Sequence, residues 1–310
     1  MAAKVVCFIN YKGGVGKSTS TYHVGCYLAQ YLNQRVLLLD IDPQTNLTFL
    51  CSAIENWQRF KRTTGTIASL YRRFQDRQSL DTKRFIWRSP VSIGRHSIAN
   101  LDLIPCDIDL LGEDLGGGQV LGTFPTLEAM RRNATEYLRE RSFLSRALKE
   151  VESDYDYVLI DCPPNLYLMT QNALLASQKF VVPTIPDHLS TIGLSILLQK
   201  VEKIGQLVTA AGALADATVQ NMQVATLGGI VFVRVRLGGT MLTTAHASKM
   251  AELRQNFPGS CFPTYTTELI GYTEAAAAAM PVWGLQNANA IRAAQKGEYD
   301  DITREFVRKV

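Results

Sequence analysis

The sequence predicts an α/β fold, a mostly parallel twisted sheet with helices on both faces, and three observations predict it. Short apolar runs recur at Val5 to Ile9, Val36 to Leu39, Leu101 to Ile104, Tyr157 to Ile160, Phe180 to Val182 and Ile230 to Val233. Runs of this length with turn residues at their ends are the pattern of strands buried on both faces. Segments of helical spacing lie between them. One covers Thr19 to Tyr31; another carries Ile192, Ile196, Leu197, Val201, Ile204 and Val208 three or four residues apart. Strands that alternate with helices build βαβ units, whose ligand lies at the carboxyl ends of the strands.

Composition sets the frame. Of 310 residues, 46% are hydrophobic and 19% charged, enough apolar surface for a sizeable core. A single domain over 1–310 is the expectation, with a basic helical segment at about 52–98. No apolar run approaches the roughly 20 residues that cross a bilayer. The chain enters its first strand directly, without signal-peptide architecture, so a cytoplasmic protein is expected. Cys7, Cys26, Cys51, Cys106, Cys162 and Cys261 are scattered without a C-x-x-C pair or zinc-like histidine spacing, and read as reduced, buried thiols. Gly116-Gly117-Gly118 and Gly238-Gly239 read as loops.

The first two strands frame the chemistry. Lys12-Gly13-Gly14-Val15-Gly16-Lys17-Ser18-Thr19 follows a strand and opens a helix, the context of a phosphate-binding loop. Glycines allow backbone N–H groups to turn inward around phosphate oxygens, and the helix N-terminus adds partial positive charge. Lys17 is expected on the β- and γ-phosphates of ATP and the Ser18 hydroxyl on Mg²⁺. Gly13, Gly14, Val15, Gly16 and Thr19 complete the cradle. Asp161 ends a buried strand, where a carboxylate holds a Mg²⁺ water.

This loop has Tyr11 where a standard Walker A has glycine, and an additional lysine, Lys12. Its K-G-G-x-G-K-[ST] form resembles the ParA/MinD group of deviant Walker A ATPases, closest to the ParA/Soj-type partition ATPases. Asp40-Ile41-Asp42-Pro43-Gln44 resembles that family's D-x-D-P-Q box, and Ile160-Asp161-Cys162-Pro163-Pro164 its Walker B segment. Asn100 to Pro105 with Ile108-Asp109-Leu110 matches its third-strand region, and Thr273-Glu274-Ala275 with Pro281-Val282 its "S-E-A … P-V" stretch. The resemblance implies that Lys12 crosses a dimer interface to the other subunit's nucleotide, that Asp42 positions the attacking water, and that Asp40 lies on the metal side. It further implies a homodimer in the ATP state, binding to DNA without sequence preference, and a ParB-like or other adaptor that stimulates hydrolysis. Such a protein is nucleoid-associated.

Two departures limit the transfer. Thr267 and Glu268 stand where the family commonly has proline and arginine near the adenine, so no adenine contact is assigned. The family's arginine after the sixth strand falls near Gly238, with Arg234 and Arg236 earlier, so its DNA contacts do not carry over. A basic segment offers a substitute. From Glu55 to Arg95 ten Lys or Arg face three acids, a net +7, leaving −3 for the rest of a chain of net +4. Arg72, Arg73, Arg77, Lys83 and Arg84 are its candidate phosphate contacts. Its aromatics, Trp57, Phe60, Tyr71, Phe74, Phe85 and Trp87, suit a core as well as a nucleic-acid face.

The leading expectation is therefore an ATP-gated partition or positioning ATPase. A MinD-like membrane switch would need an amphipathic tail. The stripe Ile302, Phe306, Val307 and Val310 is short and packs equally well on a core, so no stable membrane anchor is expected. A metabolic P-loop enzyme of the nitrogenase-reductase type would need cysteine ligands at the dimer face, and neither 107–122 nor the residues after Pro164 supply one.

Overall fold

The computed structural model describes residues 2–115, 121–122, 124–215, 222–238, 241–268, 270–285 and 290–310. Gly116-Gly117-Gly118 and Gly239 lie outside them. Seven strands form one sheet: β1 (Lys4–Phe8), β2 (Val36–Asp40), β3 (Leu101–Ile104), β4 (Tyr157–Asp161), β5 (Lys179–Thr184), β6 (Thr226–Val235) and β7 (Cys261–Thr267). Their order is β7-β6-β5-β1-β4-β2-β3. Every pairing in this sheet is parallel. All connections that follow a strand therefore emerge on one edge.

The alternation of strand side chains divides the core into two layers. Val5, Cys7, Leu37, Leu39, Val158 and Ile160 face one side. They pack under α4 (Ile67–Gln75), α5 (Leu110–Leu115), α6 (Leu127–Glu140), α7 (Phe143–Lys149), α8 (Leu168–Ala176), α9 (His188–Leu214) and α10 (Thr244–Asn256). Val6, Phe8, Val36, Leu38, Tyr157 and Leu159 face the other, under α1 (Lys17–Tyr31), α2 (Asn46–Cys51) and α12 (Ala290–Lys309). Helix α1 presses so closely on the sheet that a Cβ on Gly25 would stand 2.6 Å from Leu38 Cδ2. The tail stripe belongs to this layer: Tyr299, Ile302 and Phe306 are buried, and the Phe306 ring stacks on Phe8 at 6.0 Å.

The six strands expected from apolar runs are present, their ends coinciding or moved by at most four residues. The seventh, β7, was not anticipated. Its sequence Cys261-Phe262-Pro263-Thr264-Tyr265-Thr266-Thr267 has few aliphatic residues and an internal proline, which an edge strand tolerates because one side of its backbone makes no ladder bonds.

The basic segment folds as α3 (Ile54–Thr63), α4 and a 3₁₀ turn at Thr82–Phe85. Its aromatics are largely core: Tyr71, Phe74 and Phe85 are buried, and Tyr71 and Phe74 meet Phe143 of α7 at 5.0 and 5.4 Å. Trp57 donates its indole N–H to Cys106 O at 3.0 Å, and Phe60 stacks on Trp87 at 4.9 Å.

Candidate nucleotide site

The loop between β1 and α1 opens a cleft of about 610 Å³ at the carboxyl edge of the sheet. Gly14 and Gly16 take left-handed backbone angles (φ 71 and 72°), which a side chain would disfavour. A Cβ on Gly13 or Gly14 would meet nothing within 4 Å, so the backbone there faces open space of the kind a phosphate fills. Gly13, Gly14, Gly16, Lys17, Ser18 and Thr19 line this cleft, whereas Val15 is buried behind it.

The two lysines of the loop point to different places. Lys17 is buried and its Nζ donates to Lys12 O at 3.3 Å, on the inner side of the turn. Burial lowers its ammonium pKa, while Asp161 and Asp42 nearby raise it. Lys12 lies outside the turn, where its Nζ pairs with the Asp187 carboxylate. Asp187 also caps α9, accepting from Ser190 N–H at 2.9 Å. Neither sequence motif nor spacing signalled this partner.

Three aspartates converge where β2 and β4 run side by side, Asp40 opposite Asp161 in register. Both Asp161 oxygens are buried and find no hydrogen-bond partner among the described residues. Burial, together with the neighbouring Asp40, pushes its carboxyl well above the usual range; Ser18 and Lys17 pull the other way. An orphaned buried carboxylate beside Ser18 fits the outer coordination of a hydrated Mg²⁺. Asp42 is buried at the cleft wall and accepts from Gln44 N–H at 3.0 Å. Burial raises its pKa, opposed by that N–H and by Lys17.

Asp40, expected on the metal side, is placed differently. Its Oδ2 accepts from the Thr48 N–H at 2.9 Å and hydroxyl at 2.7 Å, and its Oδ1 accepts from Asp42 N–H at 3.1 Å. A carboxylate so engaged ties α2 to the D-x-D-P-Q box; like Asp161, it does not line the cleft. Burial pushes its carboxyl up to about 7, against these hydrogen bonds.

The far end of the cleft is built by Val233 and Arg234 of β6, Thr266 and Thr267 of β7, Glu268, and Tyr272, Thr273 and Ala276 of α11 (Gly271–Ala277). Half-buried Glu298 of α12 organises it, accepting from the Thr267 hydroxyl at 2.6 Å and the Tyr272 hydroxyl at 2.7 Å. The Pro281-Val282 segment is docked onto α1 by His23: Nδ1 donates to Thr19 O at 2.8 Å and Nε2 accepts from Val282 N–H at 3.2 Å. Burial pulls the His23 pKa down to about 4, despite the Thr19 carbonyl.

The candidate DNA residues lie on the flank of the sheet and most meet acceptors of this chain. Arg72 is 3.6 Å from Asp109, Arg77 4.0 Å from Glu136 and Lys83 2.8 Å from Asp154. Arg73 Nε donates to Ser79 O at 2.8 Å, and Arg84 is exposed. Acids remote in sequence thus offset much of the segment's +7.

This glycine turn, with a buried lysine and paired aspartates at the ends of parallel strands, defines a P-loop nucleotide cleft. Residues 3–211 match the family described as AAA domain, so the chain belongs to it, as a P-loop ATPase family member of the ParA/MinD type. Similar proteins include the sporulation initiation inhibitor protein Soj of Bacillus subtilis, 34% identical over 201 residues, 65% of this chain and 66% of that one. The chromosome partitioning protein ParA of Caulobacter vibrioides is 32% identical over 203 residues, 65% and 63% of the two chains. An uncharacterized Mycobacterium tuberculosis protein is 29% identical over 308 residues, 98% of this chain and 79% of that one. Among solved structures, the McdA–ATP complex of Cyanothece superposes with a TM-score of 0.71 at 19% identity, covering 100% and 98% of the chains. A Borrelia burgdorferi putative plasmid partition protein bound to AMPPNP gives 0.66 at 20% identity, covering 99% and 100%. At these identities the superpositions speak for the fold.

Proposed function

We propose that the chain is an ATP-gated dimerising ATPase that partitions DNA or positions another large cargo. The observation that carries the proposal is the division of labour between the two loop lysines, one turned into the cradle and one turned out of it. In this reading Lys17 and the loop N–H groups hold the β- and γ-phosphates, and Ser18 and Asp161 hold Mg²⁺ and its water. Bound there, Mg²⁺ neutralises phosphate charge and orients the γ-phosphate. Asp42, half fixed by Gln44 N–H, orients a water for attack on phosphorus. Asp40 fixes the box that presents Asp42.

Lys12 acts on the nucleotide of a second copy. Support comes from the rim around the cleft, where the parallel sheet brings every post-strand connection to one edge. In the segments that follow strands, Ile108, Tyr167, Leu189, Ile192, Met241 and Ile270 are exposed, apolar side chains available to a facing copy. Hydrolysis would remove the charge that Lys12 neutralises and release the dimer, and an adaptor that acts there would set the rate.

DNA is the proposed surface for the dimer. Arg72, Arg73, Arg77, Lys83 and Arg84 run along one flank, from Asp109 beyond β3 to Asp154 before β4. Exposed ion pairs contribute only about 0–1 kcal/mol, so DNA phosphates can take over these cations at small cost. Similar proteins carry names of chromosome and plasmid partition, consistent with a cytoplasmic, nucleoid-associated role. No described helix is long and apolar enough to cross a membrane, and the tail stripe is already spent in the core. The test compares retention of ATP-loaded protein on unrelated duplex DNA and on anionic liposomes: DNA retention is expected, and liposome retention alone would replace this reading with a membrane switch.

A further inference from the structure

Arg234 occupies a strained position that no motif explains. It lies inside β6, between Val233 and Val235, both buried, and its backbone is left-handed (φ 54°). Such a conformation is unfavourable for a non-glycine residue and persists where its surroundings hold it. The pairing of β6 with β7 shifts register at this point, between Phe232↔Tyr265 and Val235↔Thr267. The kink turns the Arg234 side chain out of the strand alternation and over the phosphate loop.

What holds it there is polar and specific. Nη1 donates to Gly14 O at 3.1 Å and Nη2 to Glu268 Oε1 at 2.7 Å. Arg236 Nε donates to the other Glu268 oxygen at 2.6 Å, so the carboxylate is fixed from both sides. One carboxylate is shared between two guanidiniums, which fixes Arg234 in place without cancelling the cluster's positive charge, and two of its in-plane donors are engaged. A guanidinium donates only within its plane. Yet the side chain is half exposed and lines the cleft, beside Thr266, Thr267 and Tyr272 and away from the Ser18–Asp161 end. Held at two of its N–H groups, such a guanidinium can present a flat face to the cleft, and that face stacks on aromatic rings.

We infer that Arg234, clamped between Gly14 and Glu268, is a nucleotide-base platform on which the purine of the bound nucleotide stacks. This rests on the reading of the cleft as a nucleotide site and assigns its base end, which the replacement of the family's proline and arginine by Thr267 and Glu268 left without a contact.

The experiment measures, by calorimetry in Mg²⁺, the affinities of ATP, ADP and inorganic tripolyphosphate for the wild type, Arg234→Ala and Arg234→Lys. Stacking predicts that Arg234→Ala weakens ATP and ADP alike by about tenfold and leaves tripolyphosphate, which has no base, unchanged. Retained tripolyphosphate binding also shows that the variant is folded. Arg234→Lys keeps the charge without the plane and is expected to stay near the alanine variant. An equal loss for tripolyphosphate would make Arg234 a prop of the phosphate loop acting through Gly14, and full rescue by lysine would reduce it to a point charge; either overturns the platform. A wild type that binds neither ATP nor tripolyphosphate would instead remove the nucleotide reading itself.

Discussion

Lys12 is ion-paired with Asp187, 175 residues away in sequence, at the outer lip of the loop whose other lysine, Lys17, is buried inside. Both partners are about one-third exposed (39% and 35% for the side chains). A pair so open to water is worth at most about 1 kcal/mol. Lys12 is therefore held ready but cheaply, and a triphosphate on a facing subunit can take it over.

Asp42→Ala is expected to keep ATP affinity within a few fold and to lower turnover by about a hundredfold or more, the size of a positioned base or water-orienting group. Among the described residues the Asp42 carboxylate accepts the Gln44 N–H, a bond within its own turn, so its loss leaves the cradle standing. Steady-state phosphate release decides the matter: unchanged turnover would remove Asp42 from the reaction.

DNA binding should require ATP and fall steeply with salt, with a log–log slope of about −0.9 per phosphate contacted. Replacing Arg72, Arg73 and Arg77 together by alanine should flatten that slope by about two to three if all three reach phosphate. A slope that does not move would return these side chains to their partners Asp109, Ser79 and Glu136 as plain surface structure.

His23 predicts a pH dependence whose sign follows from its depressed pKa. The folded protein holds the ring neutral down to about 4, whereas the unfolded chain protonates near the ordinary 6.5. Stability from His23 is thus complete above pH 6.5, declines as pH falls, and is lost once pH passes about 4, a change of about 3 kcal/mol. Buried Asp40, with its carboxyl raised to about 7, tilts the other way over the same window. The useful quantity is therefore the difference in unfolding free energy between wild type and His23→Gln, which should shrink from pH 7 to pH 4. A constant difference would mean that the ring's neutral tautomer does not tie α1 to Val282.

Much of this was legible in the sequence because the determinants are local. β1 to β6 are aliphatic runs that stand out against their turns, and the loop Lys12 to Thr19 lies between a strand and a helix that identify it. β7 was hidden because Pro263 and the run of threonines are acceptable only at a sheet edge, a tertiary fact. The surplus of the basic segment read as free charge because its partners Asp109, Glu136 and Asp154 are distant in sequence. Within the Asp40-Ile41-Asp42 box the resemblance puts Asp40 on the metal side; only the fold shows Thr48 filling its lone pairs and leaving Asp42 at the cleft. Arg234 and Glu268 carry no motif, since a left-handed arginine within a strand leaves no trace in residue type.

Whether Lys12 acts across a dimer is decided by one comparison. Sedimentation of the ATP-loaded Asp42→Ala protein, with and without Lys12→Ala, separates dimerisation from hydrolysis, because the slow parent cannot lose its dimer through turnover. Lys17, Ser18 and the loop N–H groups remain in both proteins, so ATP affinity should agree within a few fold. A dimer is expected for Asp42→Ala and a monomer for the double variant; a double variant that still sediments as a dimer would show that Lys12 does not act in trans.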